Sequence, residues 1–234
     1  MNKLILVALF ASVLLEGHRT YGADSNSVKA GLEFPVNIIK HSLRRNRKVL
    51  KGDNSAAVYL AAVLESVTED ILKVASRDAR NRKKKAIEPE NLRFAVKLDK
   101  DLRQILPGVR PPPRGASISP YGSYIKKVAQ KKKIRPSITN AGYVQANALV
   151  VKVFDKVTAK ATTLAKARRK STMQSKDIKN AVAAVMTGGQ NVVRLRATNN
   201  GNNALTRFNK GGSRRRGGRR GGRRGGNPFG GRRG

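Results

Sequence analysis

The chain of 234 residues contains no cysteine and only two histidines, His18 and His41. The absence of cysteine excludes disulfides, thiolate metal sites and cysteine nucleophiles, and it leaves the redox compartment undetermined. The two histidines are far apart in sequence and lack the spacing of a metal-ligand pair. No G-x-S-x-G, H-E-x-x-H or P-loop pattern occurs. The sequence therefore predicts a protein that is not an enzyme, needs no cofactor and takes no small-molecule substrate.

Acidic residues are also scarce. Fourteen Asp and Glu stand against fifty Lys and Arg, which gives a net charge of +36 at pH 7. A small domain tuned only for solubility carries a net charge of about 2 to 8, so this excess indicates a polyanionic partner. Nucleic acid is the first candidate and an anionic membrane surface is the second.

Residues 1–24 differ from the rest of the chain. Lys3 precedes an apolar run from Leu4 to Leu15, and the small residues Gly22 and Ala23 follow a polar stretch. This layout is typical of a secretory signal peptide, and the run is too short to span a bilayer comfortably. A membrane-touching N-terminus and a wrongly assigned start codon are the alternatives, so these residues do not enter the fold prediction.

Residues 29–106 predict three helices in the order short, long, short. Pro35 suits the first turn of a short helix, and Asn54 or Ser55 can cap a long one through its side-chain oxygen. The basic run from Arg80 to Lys85 suits the end of that helix, and a third helix begins at Pro89. Apolar residues at spacings of three and four predict the buried stripe of the long helix: Leu60, Leu64, Val67, Ile71 and Val74.

A proline-rich linker, residues 107–119, separates this unit from a second one of similar design. In residues 120–208 a short helix around Ile125 precedes a long helix capped by Thr139, which breaks at the basic run from Arg168 to Lys170. Further helical sequence then carries Ile178, Val182 and Val185. The predicted stripe of this second long helix is Val144, Ala148, Val151, Phe154, Val157, Ala161 and Leu164.

Neither unit can cover its own apolar stripe, because each has only short helices beside a long one. A second copy on a short tether is the obvious cover, and the tether raises its effective concentration to the millimolar range or above. Residues 209–234 are rich in Arg and Gly, contain no acidic residue and cannot bury a core. This segment is therefore predicted to be a disordered tail.

The first unit contains the runs Ala30-Gly31-Leu32-Glu33-Phe34-Pro35-Val36 and Ala57-Val58-Tyr59-Leu60-Ala61-Ala62-Val63-Leu64-Glu65. Both runs closely resemble core histone 2A. The second unit resembles core histone 2B in Arg169-Lys170-Ser171-Thr172, Ser175-Lys176-Asp177-Ile178, Ala181-Val182 and Gly201-Asn202-Asn203-Ala204-Leu205-Thr206-Arg207-Phe208. The resemblance covers residues 29–106 and 120–208, and fused pairs of this kind look like the histone doublets of large DNA viruses.

The resemblance implies an all-α fold in which two histone folds are paired head to tail, with each first loop beside the second loop of the other unit. Such loop pairs bind DNA phosphates where the minor groove faces the protein, without reading bases. The basic clusters of this sequence fall at those four loops. The predicted DNA-binding residues are Arg44, Arg45, Lys48, Lys51, Lys83, Lys84, Lys85, Lys131, Lys132, Lys133, Arg135, Arg168, Arg169, Lys170, Ser171 and Thr172.

The sequence departs from the family at several functional positions. Ala86 stands where histone 2A has an arginine that enters the minor groove, and Ala167 stands where histone 2B has a tyrosine that packs on the neighbouring tetramer. Only part of the family's acidic patch is present. The predicted residual patch, a docking place for chromatin-binding proteins, consists of Glu65, Asp70, Asp99 and Asp101.

The leading functional prediction is a structural protein that packages duplex DNA, together with the other core histone pair or its doublet. Its expected location is chromatin, in a nucleus, a viral factory or a virion, although the signal-like start leaves a secretory route open. Two alternatives remain. One is a secreted cationic protein that acts on anionic membranes, and the other is an RNA-binding protein that uses the Arg-Gly tail.

Overall fold

The computed structural model describes residues 25–46, 49–112, 115–117, 119–187 and 192–216, with the side chains described through residue 210. The signal-like segment and Lys48 lie outside the described residues. The described chain is mostly helical. Its helices are α1 (Ser25–Ala30), α2 (Val36–Arg45), α3 (Asn54–Asn81), α4 (Pro89–Leu98), α5 (Lys100–Ile105), α6 (Gly122–Lys131), α7 (Asn140–Ala167), α8 (Ser175–Val185) and α9 (Val192–Arg216). Its strands have two residues each: β1 (Lys51–Gly52), β2 (Ala86–Ile87), β3 (Ser137–Ile138) and β4 (Thr172–Met173).

The two units follow one plan at a constant distance along the chain. The long helices α3 and α7 begin at residues 54 and 140 and end at residues 81 and 167, an offset of 86 (140 minus 54). The strands and the third helices recur at the same offset, since β1 and β2 begin at 51 and 86, β3 and β4 at 137 and 172, and α4 and α8 at 89 and 175. The predicted order of short, long and short helices is present in both units.

Both long helices begin with a side-chain cap. Thr139 Oγ1 accepts a hydrogen bond from the Gly142 amide at 3.0 Å, as the sequence predicts. In the first unit the cap is Asp53, whose carboxylate accepts from the Ala56 amide at 2.7 Å. The prediction of Asn54 or Ser55 is wrong, because Asn54 is already helical and the Ser55 hydroxyl donates to Asp53. A side-chain oxygen acceptor three residues before the bonded amide satisfies a donor that the helix leaves open.

The two units pack on one another through one continuous core. Strand β1 pairs in parallel with β4, and β2 pairs in parallel with β3, so each unit contributes one strand to each pair. A single hydrophobic cluster contains Leu60 and Leu64 of α3 together with Val153 and Phe154 of α7. The apolar face of each long helix is therefore buried by the other unit as well as by its own short helices.

The stripe prediction is correct for α3 except at Val74, which is only partly buried, and it is partly wrong for α7. Leu60, Leu64, Val67 and Ile71 are buried, as expected. In the first half of α7, however, Val144, Ala148 and Val151 are only partly buried. The buried residues there are Ala146, Leu149, Val150 and Val153. Apolar residues surround this part of α7 on most sides, so periodicity alone did not determine which face is buried.

Helix α9 lies across α3 and buries the side that α6, α7 and α8 leave open. Gly201 makes the approach close, because a Cβ at this position would lie 2.5 Å from Cζ of the Tyr59 ring. The Tyr59 hydroxyl donates to the Thr198 carbonyl at 3.2 Å, and the Asn200 amide donates to Ser66 Oγ at 3.2 Å. The helix continues to Arg216, so the prediction of disorder from residue 209 is wrong over residues 209–216, and residues 217–234 lie outside the described part.

Candidate nucleic-acid interface

The two parallel strand pairs bring the four basic loops together at two places. The β1–β4 end consists of residues 44–46, 49–53 and 168–174, and the register pairs Lys51 with Thr172. The β2–β3 end consists of residues 82–90 and 131–139, and the register pairs Ala86 with Ser137. At each end the loop that precedes one long helix lies beside the loop that follows the other.

The described residues predicted to bind DNA all lie at these two ends. At the β1–β4 end the exposed residues are Arg44, Arg45, Lys51, Arg168, Arg169, Lys170, Ser171 and Thr172. At the β2–β3 end Lys83, Lys85, Lys131, Lys132, Lys133 and Arg135 are exposed, and Lys84 is partly buried. The cations that are distant in sequence thus form two compact basic surfaces, each able to bind the phosphates of a duplex.

Three of these cations hold a backbone conformation that favours glycine. Lys83, Lys133 and Arg169 have φ angles of 54°, 51° and 56°, and each directly follows the turn that ends a helix. The chain closes each helix there in the same way, for example through the Lys84 amide, which donates to the Ala79 carbonyl at 2.8 Å. Glycine is the residue usually found at this position. A lysine or arginine therefore occupies three positions where glycine would adopt the same backbone conformation at a lower free energy.

Four of the predicted DNA-binding cations are already paired with carboxylates. Lys84 lies 2.6 Å from Glu88 and 3.3 Å from Glu90. Lys131 lies 2.9 Å from Glu33, Lys132 lies 2.9 Å from Glu69, and Arg168 is bonded to Asp177. Most of these pairs belong to the β2–β3 end, where a DNA phosphate would have to compete with a protein carboxylate.

Arg82 belongs to the β2–β3 end although the sequence prediction left it out. Its guanidinium pairs with the buried carboxylate of Asp78 at 2.9 Å and with Glu90 at 3.3 Å. It also lies over the Phe94 ring, 5.4 Å from the centroid. Hydrogen bonds from Lys84 lower the pKa of Glu90. The sequence signal for Arg82 was the basic run itself, because Arg82 stands directly before the predicted DNA-binding residues Lys83, Lys84 and Lys85.

The predicted acidic patch is not an exposed surface. Glu65 is buried, and its carboxylate accepts from the amides of Glu33 and Phe34 at 2.7 and 3.0 Å. Burial raises its pKa. Asp101 is 3% exposed, and Asp99 caps α5 by accepting from the Leu102 amide at 2.9 Å. These carboxylates stabilise local structure, which leaves little anionic surface for a docking partner.

Asp70, the fourth residue of that predicted patch, is covered by α9. It is 5% exposed and hydrogen-bonded to the guanidinium of Arg196. Burial raises the pKa of Asp70 to about 6, although Arg196 acts in the opposite direction. Arg196 was missed at the sequence level because no periodicity argument places α9 against α3. The structure therefore neutralises this carboxylate from within the chain.

Comparison with known proteins identifies the class of fold and a stretch of the chain that is homologous to a known histone. The structure resembles the crystal structure of the histone from Methanopyrus kandleri, with a TM-score of 0.51 and 15% identity, over 66% of this chain and 96% of that one. The fold is therefore a histone fold. No protein-family model matches the chain.

In sequence, a stretch of 85 residues is homologous to histone 2A. It is 45% identical to a probable histone 2A of Arabidopsis thaliana and 44% identical to the histone 2A of Plasmodium falciparum. The stretch is 36% of this chain, and it covers 57% and 64% of those two proteins. A macro-type histone 2A of Capsaspora owczarzaki is 40% identical over 96 residues, which are 41% of this chain and 26% of that protein. The chain thus spans little more than half the length of the first two histones that it matches.

The described residues contain neither a candidate membrane span nor a candidate metal site. No described helix is both long and apolar enough to cross a bilayer. Within the same residues no group of three or more histidine, cysteine, aspartate or glutamate side chains is arranged to hold a metal ion.

Proposed function

We propose that this chain packages duplex DNA as a fused pair of histone folds, a 2A-like unit at residues 29–106 and a 2B-like unit at residues 120–208. The histone fold and the homology to histone 2A support this role. The share of this chain that matches the Methanopyrus kandleri histone, 66%, is larger than either unit alone. This agrees with two units in one polypeptide, and chromatin is the expected location.

The observation that carries the proposal is the gathering of basic residues at two ends of the paired units. Each end combines loops from both units through the strand pairs β1–β4 and β2–β3. The side chains there are lysines and arginines, which bind phosphates as charges and do not select bases. We infer binding along the phosphate backbone and the minor groove, without sequence preference, in nucleosome-like particles that include other histone partners.

The decisive experiment measures affinity for a short duplex over a range of salt concentrations. If roughly ten phosphates are neutralised, the logarithm of the affinity should fall against the logarithm of the salt concentration with a slope of about −9. Replacement of Lys83, Lys84 and Lys85 by alanine should reduce that slope by about one to three units. The matched control replaces Lys152, Lys156 and Lys160, which are exposed on α7 away from both ends.

Equal losses in the two triple variants would mean that net charge, and not the loop ends, determines binding. Deletion of residues 217–234 tests the alternatives. The shortened protein should bind DNA more weakly but with the same response to the two triple variants. If it no longer binds, the function belongs to the Arg-Gly segment, and the RNA or membrane alternative replaces this proposal. Nuclease digestion of the native complex then gives the length of protected DNA.

A further inference from the structure

The constant offset of 86 residues provides a comparison between the two ends. Lys84 and Lys170 occupy equivalent positions, as do Glu88 and Gln174. At the β1–β4 end Lys170 Nζ donates to Gln174 Oε1 at 2.8 Å, a contact between a cation and a neutral amide. At the β2–β3 end Lys84 Nζ donates to Glu88 Oε2 at 2.6 Å. The geometry is the same, but the acceptor at the β2–β3 end is a carboxylate.

A second pair of equivalent positions, in the first turns of α4 and α8, adds to the difference in charge between the two ends. Glu90 lies in the first turn of α4 with its carboxylate 3.3 Å from both Lys84 and Arg82, whereas the equivalent residue of α8 is Lys176, which is exposed. Glu88 and Glu90 have side chains that are 47% and 53% exposed. They therefore lie on the same solvent-facing surface as the cations that they bind.

Carboxylates at the β1–β4 end have a different placement. Asp177 is 0% exposed, pairs with Arg168 and accepts from the Gln174 amide at 2.8 Å. Asp53 is occupied as the cap of α3. Among the described residues, no carboxylate lies within ion-pair distance of Lys51, Arg169 or Lys170. In the described part of the chain, Arg168 is the one cation of the β1–β4 end with a carboxylate partner, whereas four cations of the β2–β3 end have one: Arg82, Lys84, Lys131 and Lys132.

Carboxylate and phosphate oxygens satisfy lysine and arginine donors in the same way, through charge-assisted hydrogen bonds. Exposed ion pairs are weak and screened by salt, so a phosphate can displace a surface carboxylate at a small but measurable cost. We propose that the β1–β4 end is the stronger anchor on duplex DNA, and that Glu88 and Glu90 occupy the phosphate positions of the β2–β3 end until DNA displaces them. This inference rests on the proposed function.

The test replaces Glu88 and Glu90 by glutamine, which gives position 88 the residue found at position 174. Glutamine keeps the shape and an oxygen acceptor, so the start of α4 is preserved. The double variant should bind a short duplex about threefold to tenfold more tightly, since each exposed ion pair removed contributes up to about fivefold. The slope of its log affinity against log salt concentration should be steeper by about one unit. In the wild type, DNA displaces Glu88 and Glu90 from Lys84, and the freed carboxylates take up salt cations, which offsets part of the cation release from DNA.

Asp155→Asn is the matched control. Asp155 is exposed on α7, and no described cation lies within ion-pair distance of it. Its removal changes the net charge by one unit but frees no loop cation, so the affinity should stay within about twofold of wild type at 0.1 M salt, where charges more than about 10 Å apart are largely screened. The single variant Glu90→Gln repeats the test without touching the residue that precedes α4.

A second comparison tests which of the two ends binds DNA more strongly. In the wild-type background Arg169→Ala with Lys170→Ala should weaken DNA binding more than Lys83→Ala with Lys84→Ala, although both remove two charges. In the Glu88→Gln, Glu90→Gln background the two double alanine variants should lose equal affinity. The difference between the two backgrounds then measures the coupling between the carboxylates Glu88 and Glu90 and the cations of the β2–β3 end.

Each result has a distinct meaning. Unchanged affinity in the double glutamine variant, an equal gain in Asp155→Asn, or equal losses in both backgrounds would overturn the inference while leaving DNA packaging intact. A wild-type protein that does not bind duplex DNA at all would instead overturn the proposed function. A melting temperature unchanged from wild type confirms that the glutamine variants report on binding and not on folding.

Discussion

The long helices α3 and α7 have the same length and equivalent positions in the two units, yet their surroundings differ. α3 is buried along nearly its whole circumference, since α6, α7 and α8 cover one side and α9 covers the other. On α7 the residues Asp155, Lys156, Ala159 and Lys160 remain exposed. The same fold unit therefore becomes an internal helix in one half of the molecule and a surface helix in the other.

The difference is visible in the residues at equivalent positions of α3 and α7. Asp70 of α3 is 5% exposed and bonded to Arg196, whereas Lys156, the equivalent residue of α7, is exposed and has no described partner. Tyr59 lies against Gly201, and burial raises its pKa to about 12. A helix that is covered on all sides must satisfy its polar groups from neighbouring elements, while a surface helix leaves them to water.

The largest expected effect comes from a charge placed in the shared core. Leu64 on α3 is 1% exposed and Phe154 on α7 is 5% exposed. Replacement of either by aspartate buries an unpaired carboxylate, which costs several kcal/mol, comparable with the stability of a whole domain. Both variants should lose cooperative unfolding in thermal melts followed by circular dichroism, and Leu64→Asp should be the more severe.

Leu195→Asp is the control for this comparison, because Leu195 is 55% exposed and the new carboxylate would remain in water. A cooperative melt retained by Leu64→Asp would show that the stripe of α3 does not face the second unit. A cooperative melt retained by Phe154→Asp alone would place that side chain at the margin of the core.

A smaller effect is expected from the contact between α3 and α9. In Gly201→Ala the new Cβ would lie 2.5 Å from the Tyr59 ring, so one of the two helices must shift. Overpacking of this kind costs about 1 to 3 kcal/mol. Urea unfolding should report that loss, while Asn202→Ala, one residue further along an exposed face, should change the free energy of unfolding little. Equal behaviour of the two variants would show that α9 does not pack on α3.

The smallest expected effect is a pH dependence of the free energy of unfolding, which should arise from Asp70 on the covered helix α3 and not from the equivalent position of α7. Burial raises the pKa of Asp70 to about 6, above its ordinary value of 3.8. Because the folded chain holds this proton more tightly than the unfolded chain, protonation adds stability as the pH falls from 7 to 5. Over that interval the free energy of unfolding of the wild type should rise relative to Asp70→Asn by roughly 1 kcal/mol.

Lys156→Gln is the matched control at the equivalent position of α7, and its difference from the wild type should not vary with pH over this interval. A constant difference between the wild type and Asp70→Asn would mean that Asp70 is hydrated and that α9 does not seal this side of α3.

Sequence reasoning succeeded where a local rule has one physical solution. The end of α3 follows from its basic stop and the start of α4 follows from Pro89, whereas the cap of α3 is Asp53 and not the predicted Asn54 or Ser55. The grouping of the loop cations at two ends was foreseen through the resemblance to paired histones. What these inferences share is that they depend on neighbours in sequence or on a known pairing of whole units.

The failures have a common cause as well. The buried face of α7, the cover that α9 gives to α3 and the pairing of Asp70 with Arg196 all depend on which surfaces meet after the helices have formed. Apolar residues surround the first half of α7, so its period leaves the orientation open. Ion pairs such as that between Lys132 and Glu69 join residues far apart in sequence, and charge counting alone does not reveal them.

The position of α9 has a consequence for biosynthesis. The first long helix to leave the ribosome is α3, but the strand that pairs with β1 begins at Thr172, and the helix that covers α3 ends at Arg216. Until those late segments have been translated, the apolar stripe of α3 lacks the cover that the finished chain gives it. The nascent first unit thus exposes an apolar helix for most of its synthesis, a state that favours aggregation. A chain truncated before α9 would therefore have a first unit with an open apolar side.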